Sequence, residues 1–217
     1  MNDFKSYITE ASAKNTHMTH IEDLVLDGGV KGARDAILAL RSLRDMLAGN
    51  AKGKTDVTVK WDGAPAVFAG INPENGKFFV GSKSVFNANP KLNYTEEDVD
   101  ANHGGGLAVK LKMALAELPK LGIQGVIQGD IMYTEGDLKK AVIDGEKYIT
   151  MHPNTIAYAV PSGSDLAKTI SKAKIGVVWH TTYTGTSLQD MKASFGVDVS
   201  RLKNVPSVWS ISADLPD

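Results

Sequence analysis

Hydrophobic positions in the first quarter of the chain recur at helical spacing. Ala33, Ala36, Ile37, Leu40, Leu43 and Leu47 follow one face, with Arg34, Asp35, Arg41, Arg44 and Asp45 largely between them. This predicts a helix over about Lys31–Ala48, stopped by Gly49-Asn50. From Thr55 the pattern changes to short apolar runs bounded by turn residues. These predict strands at Val57–Lys60, Ala66–Ala69 and Lys77–Val80. The "NPENG" between the last two carries turn chemistry and makes Ala66–Val80 a hairpin. A long polar stretch, Asn87 to Gly106, ends in "HGGG" and leads into a helix predicted over about Leu107–Leu118. Strands are predicted at Gly125–Gln128, Thr155–Val160 and Gly176–Tyr183, and a short helix over "SLQDMKASFG", closed by Gly196. There is no internal repeat and no low-complexity tract. The order of elements is that of an α+β protein: a helical N-terminal part, then a mostly antiparallel sheet with inserted helices.

Composition narrows the function classes. The chain has 217 residues, 42% of them hydrophobic, enough for a packed core. Lys plus Arg is 24 against 25 for Asp plus Glu, which excludes a strongly basic protein but leaves room for a local basic groove. There is no cysteine, so disulfides, thiol catalysis and thiolate metal sites are excluded. No apolar run approaches the ~18 residues that would cross a bilayer, and "MNDFKSYITEA" lacks the apolar core of a secretory signal. The expectation is a soluble protein without membrane contact.

The densest chemistry lies in "VTVKWDGAPAVFAG", Val57–Gly70. Strand alternation would put Lys60 and Asp62 on one side, and Gly63 would let backbone approach a ligand closely. A lysine nucleophile must shed its proton near neutral pH, which partial burial or a neighbouring cation promotes. By itself the tetrapeptide fits a solvated hairpin end equally well.

The downstream order of motifs points further. "KWDGAP" resembles the nucleotide-attachment motif, Lys-x-Asp/Glu-Gly, of covalent nucleotidyltransferases: ATP-dependent DNA ligases, RNA ligases and mRNA capping enzymes. "GSKSVFN", Gly81–Asn87, is similar to the Ser-Lys-Gly-Ser element of tailed-phage RNA ligases. "GVIQGDIMY", Gly125–Tyr133, resembles the family's strand ending in Gly-Glu, with Asp130 in place of Glu. "HPNTIAYAV" and "KIGVVWHTTYTGTSLQDM" resemble later strands of phage RNA ligases, so the likeness runs from about Thr55 to Phe195. The resemblance implies a ligase-type nucleotidyltransferase fold over 51–217, after a linker and helix over 11–50. It implies that Lys60 attacks the α-phosphate of ATP to give lysyl-AMP and that Asp62 orients or tunes that lysine. It also implies that Gly63 lines the nucleotide, that Lys83 contacts ribose or phosphate, and that Asp130 bonds the ribose or helps hold Mg²⁺. Trp179 or a neighbour would pack on the adenine. The partners implied are RNA or DNA ends.

The chain departs from the family late. After Tyr183 there is neither a Glu-Gly strand nor a Lys-x-Lys strand; Lys172-Ala173-Lys174 precedes the Trp179 strand. This sets three expectations side by side: a shifted alignment, a C-terminally incomplete domain, or a non-catalytic nucleotide- or nucleic-acid-binding phage head protein that keeps the fold. "HGGG" lacks the Gly-x-Ser-x-Gly elbow an esterase needs and reads as a hinge. The five histidines lack metalloprotease spacing, and His152 and His180 read as strand-end polar residues. Finally, "MNDFKSYITE" before Ala11 resembles the capsid-targeting peptides of large tailed phages, cut after Ile8-Thr9-Glu10 by a prohead protease. That resemblance implies a protein of the virion interior or host cytoplasm.

Overall fold

The computed structural model describes residues 21–48 and 59–214. The targeting peptide over residues 1–10, the linker over 11–20 and residues 57–58 of the first predicted strand lie outside them. The chain divides into two units, Met1–Val57 and Thr58–Asp217.

In the first unit one helical element, α1, spans Ile21–Leu47. It is two helices in truth, because Gly29 adopts φ 55° and ψ −136° and breaks the ladder. A Cβ on Gly32 would lie 1.6 Å from the Leu24 carbonyl oxygen. In a straight helix eight residues span about 12 Å, so the arm before the break folds back onto the arm after it. The predicted helix is the second arm.

The second unit holds a six-stranded sheet and a three-stranded sheet. The large sheet contains β1 (Ala66–Ile71), β2 (Phe78–Gly81), β3 (Val126–Thr134), β7 (Ile175–Thr184), β8 (Lys192–Phe195) and β9 (Val208–Ser212), in the order β2-β1-β3-β7-β8, with β9 beside the first half of β7. Every pairing is antiparallel except β7 with β9. The small sheet is β4 (Lys139–Ile143), β5 (Glu146–Met151) and β6 (Tyr158–Pro161). Helices α2 (Glu96–Asn102) and α3 (Gly105–Glu117) lie between β2 and β3, and α4 (Asp165–Lys172) precedes β7. The α+β expectation, with an N-terminal helix and largely antiparallel sheets, holds.

Strand alternation separates the two faces of the large sheet. Ile127, Ile131, Val177 and Trp179 face α3 and pack with Ala108, Leu111, Ala114 and Leu118 in one core. The opposite face carries two apolar clusters. One centres on Met132, Val178, Trp209 and Met151, and receives Ile149, Tyr158 and Val160 from the small sheet. The other holds Phe68, Phe79, Val85, Val126, Tyr183, Leu188 and Met191. Between them the face is polar.

Several boundaries differ from the sequence pattern. "SLQDMKASFG" is a turn followed by β8, not a helix; the Asp190 carboxylate accepts from Thr186 Oγ1 and the Ser187 amide, holding the turn. Val59 and Lys60 belong to no strand. β3 runs to Thr134, six residues past the predicted end. The hairpin β4–β5, helices α2 and α4, and β9 were not anticipated.

Candidate nucleotide site on the open sheet face

The Lys60 segment is held at both ends by backbone bonds. The Val59 amide donates to the Ala213 carbonyl at 2.7 Å, and the Ala213 amide donates to the Trp179 carbonyl at 2.7 Å. The Ala64 amide donates to the Ile131 carbonyl and the Ile131 amide to the Pro65 carbonyl, each at 3.0 Å. The first anchor lies on the β9 side of β7 and the second on the β1 side of β3. Lys60–Gly63 therefore cross the open face of the sheet as a strap. Gly63 rests directly on β3: a Cβ there would sit 2.4 Å from Asp130 Cβ and 3.0 Å from Met132 Sδ. The motif glycine and the motif carboxylate, 67 positions apart in sequence, are thus in contact.

The small sheet covers the strap. Trp61 stacks on Tyr158 with centroids 5.5 Å apart. The Asp62 amide donates to Tyr158 Oη at 2.8 Å. The Asp62 carboxylate accepts from Asn154 Nδ2 at 2.8 Å and from the Thr155 and Ile156 amides at 2.7 Å each. The bond from Asn154, then that from Ile156, holds the Asp62 carboxyl below the usual carboxylate range. Its oxygens are committed to the β5–β6 loop, and Lys60 is the weakest of the influences on it. Asp62 is a positioning residue, clamping the loop onto the strap.

That clamp has a pH signature. A carboxylate with a depressed folded pKa contributes above its unfolded value and loses the contribution as pH falls through the folded one. The Thr155 and Ile156 amide resonances are expected to stay in bonded positions at neutral pH and to move only below the ordinary carboxylate range. Asp62→Ala is expected to move them at every pH, since it removes the oxygen that both amides share. Unchanged amide shifts in Asp62→Ala would remove the clamp.

The floor beside the strap is shaped by two β-bulges in the β3–β7 pair. Gln128 faces Thr181 and Gly129 faces Trp179, so His180 is an extra residue in β7; Met132 is the extra residue in β3. At His180 the bulge leaves the imidazole Nε2 3.8 Å from Asp130 Oδ2, with Nδ1 2.8 Å from Thr181 Oγ1. Both side chains are about a quarter exposed, at 26% and 22%. His180 is thus mid-strand and at the site rather than a strand-end polar residue. Alternation from Val178 already puts it on this face, and the bulge lets Tyr183 share it.

Lys60 is exposed and makes no hydrogen bond or ion pair among the described residues. The partial burial expected of a nucleophilic lysine is absent. Lys83 is also exposed, opening the 3-10 turn Lys83–Phe86 immediately past the last β1–β2 pair, Phe68 with Gly81. Lys110 of α3, overlooked in the sequence, bonds the Ala64 carbonyl at 3.3 Å and pairs with Asp137 at 3.3 Å, steadying the strap's exit. Trp179 must be corrected. It is fully buried against α3 and donates from Nε1 to Ser210 Oγ at 2.7 Å, so it has no face to offer a base. Lys174 is spent on the buried carboxylate of Glu117, 3.7 Å away.

Among the described residues no group of three or more His, Asp or Glu side chains is placed to hold a metal ion. The Asp130 carboxylate accepts no hydrogen bond among the described residues and has His180 Nε2 3.8 Å away. A depression of about 600 Å³ near Lys147 and Ser164, at the far turns of the small sheet, is separate from this site. Among the described residues no helix is long and apolar enough to cross a membrane.

A family model described as a family of unknown function, DUF6267, matches residues 15–216. Neither a curated protein nor a solved structure matches the chain.

Proposed function

The chain belongs to the DUF6267 family, and we propose that it is an ATP-dependent nucleotidyltransferase of the polynucleotide-ligase type, with Lys60 as its nucleophile. The observation that supports this reading best is the seating of the Lys60 strap on Asp130. Residues of two separate motifs, which the resemblance to RNA ligases would bring to one nucleotide, meet here on one sheet face with His180 beside them. The exposed Lys60 side chain makes no hydrogen bond among the described residues and can reach a bound phosphate, and the two bulged strands give the face its polar floor.

In the proposed step Lys60 Nζ forms a bond to the α-phosphorus of ATP. The bond from that phosphorus to the bridging oxygen breaks, pyrophosphate leaves, and the proton shed by nitrogen passes to water. Mg²⁺ carried by the triphosphate would supply charge neutralisation, with Asp130 as its protein ligand. Lys83 would meet ribose or phosphate from the opposite wall. Asp62 acts through the strap by fixing its height, and Lys110 by holding its exit. The acceptor in a second step would be an RNA or DNA end.

Intact mass after incubation with ATP and Mg²⁺ tests this. A gain of one AMP is expected, absent in Lys60→Ala. A protein that takes up no AMP and binds no ATP would end the reading. One observation favours a second function, a non-catalytic nucleotide-binding head protein: β9 has no lysine and Lys174 is committed to Glu117, leaving no late Lys-x-Lys strand for the α-phosphate. ATP binding without an adduct would select it.

A further inference from the structure

We infer that β4 is an interaction surface for a second copy of this chain. Two β4 edges pair antiparallel about a two-fold axis at Ala141 and join the small sheets of two molecules into one. Among the described residues β4 is an edge strand, paired with β5 alone. Asp144-Gly145 is a two-residue turn, so the pair that flanks it, Ile143 with Glu146, exchanges both backbone bonds. Ala141 and Lys139 then also bond to β5, while Lys140 and Val142 turn their amides and carbonyls outward. The far side of β5 agrees with this phase: the Lys147 carbonyl faces away from β4 and accepts from the Ser162 amide at 2.8 Å. Among the described residues no backbone bond reaches the outward groups of Lys140 and Val142.

The side chains suit a copy of the same strand. Val142 is 68% exposed and Ile143 43%, apolar residues left uncovered at a hairpin tip. Pairing about Ala141 sets Lys140 opposite Val142 of the partner copy, with two backbone bonds, and Lys139 opposite Ile143 of the partner copy. The two-fold axis repeats both pairs. Each lysine stem then lies along an apolar side chain of the other copy and covers it. Beside Ile143, on the same face, stands Glu146. The Lys139 ammonium therefore ends at a carboxylate of the partner copy. On the opposite face Lys140 ends near Lys147, a like charge that keeps the contact weak.

Lysines usually blunt a free edge by setting like charges against any strand that joins it. Here they select the register. Parallel pairing in register would set Lys139 and Lys140 against themselves. A slip one way sets Lys140 against Lys140. A slip the other way runs Lys140 onto Asp144, whose φ of 51° takes it out of the ladder. Only the pairing centred on Ala141 uses all five residues of both strands and opposes each lysine with an apolar residue. Two such short strands fall short of the roughly 1,200 Å² that a stable interface buries, so the dimer is weak and concentration-dependent.

The test is sedimentation of the full chain over concentrations up to millimolar, without nucleotide, so that its outcome is independent of nucleotidyl transfer. A reversible monomer–dimer equilibrium is expected. Val142→Pro removes an amide that serves no bond to β5, and is expected to abolish the dimer while the thermal midpoint changes little. Lys139→Glu and Glu146→Lys are each expected to weaken the dimer roughly 10-fold, and the two together to restore it. The chain has no cysteine, so Ala141→Cys gives a clean cross-link. Opposed residues without mutual backbone bonds have Cα atoms about 4.5 Å apart, within disulfide reach. Mild oxidation is expected to link Ala141→Cys rapidly and Ile143→Cys slowly. If Val142→Pro fails to fold, the charge exchange and the cross-link decide. A chain that is monomeric at every concentration overturns pairing through β4. So does a dimer that survives in folded Val142→Pro, or a double charge exchange that brings no recovery.

Discussion

Gly63→Ala is expected to lower the rate of AMP transfer to Lys60 by about 100-fold or more in a protein that still unfolds cooperatively. The reason is local. The new methyl would meet Asp130 Cβ at 2.4 Å and Met132 Sδ at 3.0 Å, and the first contact is to a carbon held by the β3 backbone. Met132 can give way; Asp130 Cβ cannot without moving the strand. The strap must rise instead, and both of its anchors, at Val59 and Ala64, limit where it can go. Lys60 is three residues from the displaced point. A rise of about 1 Å is enough to spoil an in-line approach to a bound phosphate. Global stability is expected to fall much less, because the strap contributes only Trp61 to the cluster on this face. Single-turnover adduct formation followed by mass, beside a urea titration, separates the two effects. Wild-type adduct rates in Gly63→Ala would show that the contact with Asp130 does not set the position of Lys60.

What sequence pattern predicts here, and what it does not, follows from the range of the interactions involved. The β1–β2 hairpin was legible because its turn is local: the Asn72 amide donates to the Lys77 carbonyl and the Asn72 side chain accepts from the Glu74 amide. The strands β3 and β7 were legible as apolar runs, since both faces of each are largely covered. The β4–β5 hairpin had a local signal that went unused. Asp144-Gly145, both at positive φ, is a two-residue turn between "KKAVI" and "EKYITM". Its strands are mostly exposed and lysine-rich, which hid them from an apolar count. Ser164, whose hydroxyl accepts from the Ala167 amide, likewise announced α4. β9 gave no such notice, because a parallel edge strand depends on β7, about 30 residues upstream.

The candidate site divides the same way. Lys60, Gly63 and Asp130 were legible as motif residues, and the fold brings Gly63 and Asp130 into contact. Val57–Lys60 was read as a strand because β-branched residues favour one, yet Lys60 and its neighbours cross the sheet instead of joining it. His180 was not legible as a neighbour of Asp130, because that approach depends on how β3 and β7 pair, which composition does not show.

Trp179 separates a core role from a ligand role, and its replacement is expected to have the largest effect on stability. The side chain is wholly buried between β7 and the layer of α3, and its N–H is satisfied by Ser210 on β9. Trp179→Ala is expected to cost about 3–5 kcal/mol, the range for emptying a large aromatic site. That is a substantial share of the roughly 5–15 kcal/mol that holds a typical domain folded. It also leaves the Ser210 hydroxyl without the donor that ties β9 to β7. Trp179→Phe keeps most of the volume and loses the bond, so a smaller loss is expected, about 1–2 kcal/mol. Nucleotide affinity decides the role. If Trp179 is a core residue, Trp179→Phe binds ATP as the wild type does while its urea midpoint falls. If an adenine stacked on it, affinity would fall together with stability. A wild-type midpoint with weakened ATP binding is the one result that a buried Trp179 forbids.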